Sequence, residues 1–136
     1  MNILIIDDEK TISDFFQKVA QARGYTDIDT AISAEEALTH IIRRNYDLIT
    51  LDIHMPGTSG LDAIAMLRNL CSHAIIAIIS GYIPDKISSE VAGCVDVIIP
   101  KPVSTDTFSQ LLNGTEGMCE IMGTIRSLGI TPAGIR

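Results

Sequence analysis

Four short apolar runs punctuate the chain: "ILII" at 3–6, "LITL" at 48–51, "AIIAII" at 74–79 and "VDVII" at 95–99. The first three are continuous rather than alternating. A strand with one wet face alternates, whereas a strand covered on both faces does not. Such runs therefore point to a parallel sheet between layers of helix. A weaker strand fits "TDIDTA" at 26–31.

Helical periodicity fills the gaps. Ile12, Phe15, Phe16, Val19 and Ala22 recur at threes and fours along 10–23. Ser33 precedes "AEEALTHIIRR" with Glu36 three residues on, as in a capping box, and Ala37, Leu38, Ile41 and Ile42 form the apolar face. Leu61, Ile64, Ala65, Leu67 and Leu70 mark a helix over 59–70. A weaker one fits 84–92, and Ser104 is placed to cap "TDTFSQLL". Gly24, Gly93 and Gly114 fall just past helical runs, where a C-cap favours Gly. Five β-α units in alternation predict an α/β protein with a doubly wound open sheet and helices on both faces.

The 136 residues suit one domain, and a 46% hydrophobic content supports a core without staples. Trp is absent and aromatics are few, so that core is built from Ile, Leu, Val and Ala. A net charge of −7 disfavours nonspecific nucleic-acid binding and attachment to an anionic membrane. No run approaches the ~20 apolar residues of a span. The start "MNILIIDDEK" lacks the basic flank of a signal peptide. The expectation is a cytoplasmic chain with no direct nucleic-acid contact. Cys71, Cys94 and Cys119 are odd in number and far apart, which reads as reduced packing residues rather than a disulfide or zinc framework. His40, His54 and His73 make no ligand-spaced pair.

In open α/β sheets, ligands bind beyond the carboxyl ends of the strands. Asp7 and Asp8 follow the first strand, Asp52 the third, Ser80 and Gly81 the fourth, and Lys101 the fifth. A lone Asp after a strand reads as a turn former, and a lone Lys as a solvated charge. Together they place three carboxylates, a hydroxyl and an ammonium on one rim. Carboxylates that close together repel unless a cation intervenes. An oxygen-only donor set suits a hard ion such as Mg²⁺. One spare carboxylate beside such an ion, faced by an ammonium and a hydroxyl, is equipment for phosphoryl transfer. Gly57 and Gly60 would let the loop "MPGTSG" fold back towards the ion.

These residues resemble the receiver domains of bacterial two-component response regulators: Asp7-Asp8, "LDIHMPGTSG" around Asp52, Ser80-Gly81 and Lys101-Pro102, over roughly residues 1–113. The resemblance implies a flavodoxin-like sheet of order 2-1-3-4-5. It implies Asp52 as phosphoacceptor, with Mg²⁺ (or Mn²⁺) held by Asp8 directly, by Asp7 through water, by Asp52 and by the backbone carbonyl of His54. Ser80 and Lys101 would bind the phosphoryl oxygens, and Pro102 would follow a cis peptide. The donor would be a sensor histidine kinase or a histidine phosphotransfer protein, and the output a downstream protein. Such a domain phosphorylates and dephosphorylates itself rather than turning over a substrate. The modulating positions are His54 and Tyr82, which could obstruct or order an attacking water, and Ile98, which stands where the family often has an aromatic switch residue. Pro100 is tolerable only on an edge strand.

Two other readings remain. Ile98 motivates an unphosphorylated receiver-like scaffold. A nucleophilic-aspartate phosphohydrolase would need a second acid two residues after Asp52, where His54 stands. The expected organisation is a stand-alone receiver over 1–113, with no DNA-binding domain following, and a tail over 114–136. There "NGT" interrupts and Met118, Ile121, Met122, Ile125 and Leu128 recur at helical spacing, which fits one extra amphipathic helix. Its stripe is expected to pack on the chain's own surface, with docking on a partner or a second copy as the alternative.

Overall fold

The computed structural model describes residues 1–55 and 60–129. In chain order the elements are β1 (Ile3–Ile6), α1 (Lys10–Ala22), β2 (Ile28–Ala31), α2 (Ala34–Ile41), β3 (Leu48–Leu51), α3 (Gly60–Leu70), β4 (Ile75–Ser80), α4 (Ser89–Ala92), β5 (Val97–Pro100) and α5 (Thr105–Ser127). All strand pairs are parallel, in the order β2-β1-β3-β4-β5, the flavodoxin-like arrangement expected.

The continuous apolar runs have a simple cause. Successive side chains of a strand point to opposite faces. Leu4 and Ile6 of β1, Ile49 and Leu51 of β3, and Ile76 and Ile78 of β4 join Ala37 of α2 and Ile64 and Leu67 of α3 in one core. Ile3, Ile5, Leu48, Ala77 and Ile79 join Phe16, Val19 and Ala20 of α1 and Phe108 and Leu112 of α5 in the other. Both faces of the middle strands are dry, so their side chains are apolar except for the buried Thr50 of β3 and Ser80 at the end of β4. β5 has one neighbour only, and its last residue, Pro100, lies opposite Ser80 on that outer strand. An edge strand forgoes an N–H at little cost.

Ser33, Ser88 and Ser104 cap α2, α4 and α5, each accepting a backbone N–H from three residues on. The helix expected over 84–92 shrinks to one turn, because Ser88 caps it and Gly93 already ends it. Gly24 alone among the described residues has a left-handed backbone, φ 92°, directly after α1. Gly114 does not end a helix. α5 passes through "NGT" unbroken to Ser127. Thr115 is buried there, and its hydroxyl donates within the helix to the Leu111 carbonyl at 2.9 Å. The Tyr25 hydroxyl donates to Glu116 at 2.5 Å, and the Arg23 guanidinium donates to the Asn113 side chain. Burial, then the bond to Glu116, pushes the Tyr25 phenol up to about 12.

The apolar stripe beyond residue 113 does not pack inward as expected. A 23-residue helix is about 34 Å long. A sheet of four- to six-residue strands is only ~13–20 Å deep. α5 therefore outruns the sheet. Met122 is half-buried, with Met118 and Cys119 beside it along a cavity of about 300 Å³ that also meets Arg68, Ala74 and Ile75. Met118, Ile121, Ile125 and Leu128 are exposed, by 47%, 54%, 54% and 81%.

Phe108 and Leu112 anchor α5 in the core; Phe108 is fully buried and stacked on Phe16 of α1 with ring centroids 4.4 Å apart. Phe108→Ala should destabilise the fold by ~3–5 kcal/mol through lost burial and a residual cavity, read from urea unfolding.

Candidate functional site

Three backbone hydrogen bonds extend the sheet one residue past its strands. Asp7 N–H donates to the Ala31 carbonyl at 2.9 Å, Asp52 N–H to Ile6 at 3.0 Å, and Lys101 N–H to Ser80 at 2.9 Å. The first residues past β1, β3 and β5 are thus fixed by the ladder itself. The Lys101–Pro102 peptide is cis.

Their side chains converge. The Lys101 ammonium donates to Asp7 Oδ2 at 2.8 Å and to Asp52 Oδ2 at 3.1 Å. The Ser80 hydroxyl donates to Asp52 Oδ1 at 2.8 Å, and the His54 backbone N–H to the same oxygen at 2.9 Å. Asp7 Oδ1 accepts the Glu9 N–H at 2.9 Å. Asp7 and Asp52 are only 2% and 4% exposed, whereas Asp8 faces solvent. One carboxylate oxygen from each of Asp7, Asp8 and Asp52 lies within 4.8 Å of the others, the single such acidic cluster among the described residues. Two buried carboxylates share one ammonium, with a third carboxylate at the rim, so the site carries surplus negative charge. An all-oxygen donor set of that kind fits a hard divalent cation.

Burial raises the Asp7 carboxyl above its ordinary value, against the opposing pull of Lys101 and the Glu9 N–H, and the nearby Asp52 charge adds to the rise. Burial pulls the Lys101 ammonium down, but its bonds to Asp7 and Asp52 outweigh that, and the net shift is upward.

Tyr82 is exposed, with its ring tilted 49° against the His54 ring at 5.8 Å; its backbone N–H donates to the Ser80 hydroxyl at 3.3 Å. Ile98 does not face the cluster: it is half-buried against the core that also holds Ile78. Gly57 and the rest of 56–59 lie outside the described residues. The sequence reading missed Ser13, buried on α1, whose hydroxyl donates to the Asp7 carbonyl at 3.4 Å. A lone Ser between Ile12 and Phe16 on an otherwise apolar face was the available signal.

This rim geometry accompanies a match of residues 3–113 to the family model described as response regulator receiver domain. The chain belongs to that family. This receiver is 38% identical over 98 residues to the transcriptional regulatory protein YvrH of Bacillus subtilis, a match covering 71% of the chain and 41% of YvrH. It is 34% identical over 103 residues to ResD of the same organism, 75% of the chain and 42% of ResD. The receiver thus spans less than half the length of these relatives. Among solved structures, the response regulator protein TrrA of Thermotoga maritima, in complex with Mg²⁺-BeF, superposes with a TM-score of 0.73 at 34% identity. That match covers 85% of this chain and 99% of TrrA. No helix among the described residues is long and apolar enough to cross a membrane.

The raised Asp7 value fixes the sign of a pH effect. The folded state holds the Asp7 proton more tightly than the unfolded chain, so this contribution to stability is present at low pH. It is lost as pH rises from 3.8 through the folded value. In metal-free protein, the stability of Asp7→Asn relative to the parent should therefore increase as pH rises above 3.8. Urea midpoints at several pH values check this, and a difference that stays flat would contradict it.

Proposed function

We propose that Asp52 accepts a phosphoryl group from a phosphohistidine on a sensor kinase or phosphotransfer protein, and that this charge biases the conformation of the receiver. The observation that carries the reading is the split partnership of Asp52: Ser80 and the His54 N–H on one oxygen, Lys101 on the other. An Asp52 oxygen attacks phosphorus; the new P–O bond forms as the P–N bond breaks, and the departing imidazole keeps the electron pair and takes a proton from water. The product adds negative charge to a buried site, and the Ser80 hydroxyl and Lys101 ammonium are placed to turn from carboxylate to phosphoryl oxygens.

Asp7, Asp8, Asp52 and the His54 carbonyl would hold Mg²⁺. Bound there, it would neutralise charge on the phosphoryl oxygens. Support comes from the carboxylate cluster of this chain and from relatives: TrrA in complex with Mg²⁺-BeF, and a Burkholderia pseudomallei response regulator, 27% identical, with a phosphorylated aspartic acid and calcium. TrrA in complex with the histidine kinase ThkA, 33% identical to this chain, supports the kinase as donor.

Incubation with acetyl phosphate and Mg²⁺ should add the mass of one phosphoryl group. EDTA or Asp52→Asn should abolish the gain. An unmodified parent under these conditions, and with any cognate kinase, would favour the scaffold reading instead.

We infer that the His54 and Tyr82 rings, which follow Asp52 and Ser80 by two residues each and lie 5.8 Å apart, obstruct the attacking water and slow hydrolysis of the acyl phosphate. The His54→Ala, Tyr82→Ala double variant should lose phosphate several-fold faster in a pulse-chase assay, with phosphorylation itself retained; an unchanged lifetime would make the rings mere surface.

A further inference from the structure

Where α5 outruns the sheet it walls a cavity at the amino end of the strands. The space of about 300 Å³ lies between Met118, Cys119 and Met122 of α5 and the start of β4, where Ala74 and Ile75 line it. Ile75 and Ser80 are the first and last residues of β4, so the cavity lies about 16 Å along that strand from the Asp52 site. Its size falls at the small end of the ~300–1,000 Å³ of small-molecule pockets. The phosphoryl chemistry proposed for Asp52 makes no use of it.

Among the described residues four charged side chains line this space: Asp47, Arg68, Asp96 and Arg126. Three of them are committed. Arg68 donates to the carbonyls of Cys94 and Ala74, each at 2.9 Å, and of Ser72 at 3.2 Å, and it meets Asp96 Oδ2 at 2.7 Å. Asp96 Oδ2 also accepts the Ile76 N–H at 2.8 Å, and Asp47 accepts the Asn2 N–H at 2.8 Å. Arg126 differs. It is half-buried, yet its guanidinium makes no hydrogen bond or ion pair with any described residue. A cation in the last turn of a helix is favoured by the helix dipole, but a side chain standing in water would serve that as well. A partly desolvated guanidinium, with its fork of N–H donors unused, calls for a carboxylate.

The other walls are apolar. Met118, Met122 and Ile75 offer no charge, and the flexible thioethers adapt to differing shapes. An inorganic anion would leave those walls unfilled, and a neutral apolar molecule would leave Arg126 without a partner. We propose that this cavity binds a small organic carboxylate with an apolar body, the carboxylate on Arg126 and the body between Met118, Met122 and Ile75. The proposal does not depend on phosphoryl transfer.

Titration of the full chain with 3-phenylpropionate, a ligand of about eleven non-hydrogen atoms, tests it by NMR of carbon-13-labelled methionine methyls. The Met118 and Met122 signals should shift and saturate with a dissociation constant of about 5 mM or tighter. The Met55 signal, past the carboxyl end of β3, should stay fixed. The uncharged 3-phenylpropanamide should bind about tenfold more weakly. Arg126→Gln should bring the carboxylate down to the amide's level and leave the melting temperature at the parent's value. Gly123 lines the same space, and a Cβ there would meet nothing within 4 Å. Gly123→Leu should therefore fill the cavity and abolish the ligand-induced shifts. Its melting temperature should hold or rise, since glycine inside a helix is a weak helix former. Met118 and Met122 signals that do not approach saturation by about 20 mM ligand overturn the proposal. So does an amide that binds as well as the carboxylate, a carboxylate preference that survives Arg126→Gln, or binding that survives Gly123→Leu.

Discussion

The Lys101 ammonium, held between Asp7 and Asp52, ties together three strand ends that are far apart in sequence. Removed from water, the two carboxylates would repel one another. One ammonium with two hydrogen bonds offsets much of that cost. The Ser80 hydroxyl and the His54 and Glu9 N–H groups occupy further carboxylate oxygen positions. Among the described residues no buried side-chain polar atom lacks a partner. The site is thus satisfied yet still over-supplied with negative charge, the condition under which a divalent cation or a phosphoryl group can alter its balance.

The scaffold makes this possible by rigidity. β1, β3 and β4 are dry on both faces, so their ends are fixed by two cores at once. The parallel ladder then carries Asp7, Asp52 and Lys101 one residue further without slack. Ser80 needs no extension, being the last residue of β4. The edges are looser. β5 is half-buried and ends in Pro100, and Ile98 faces the core rather than the cluster. Position 98 on that edge is not aromatic, and the exposed Tyr82 ring lies beside the His54 ring past the end of β4.

Much of this was legible in residue order. Continuous apolar runs gave the strands because both faces are buried, and the residues after them gave the site because parallel sheets bind ligands at their carboxyl ends. The serine caps at Ser33 and Ser104 read correctly, since a cap is a local bond. The failures were non-local. "NGT" looks like a helix end, but Tyr25 and Arg23 at the far side of α1 tie to Glu116 and Asn113 and carry α5 onward. The Met118–Leu128 stripe looks like core, but its helix is longer than the sheet is deep, so most of it has nothing of its own to pack against.

The sequence by itself determined the alternation of elements, the two-faced burial of the central strands and the chemical identity of the rim. Each of these follows from side-chain type and from periods of two or 3.6 residues along the chain. Only the tertiary structure decided that Lys101 bridges Asp7 and Asp52, that Ile98 turns from the site, and that α5 runs past the sheet with much of its apolar stripe exposed. Those outcomes depend on distances between residues tens of positions apart, and residue order sets them only through the packing of every element between.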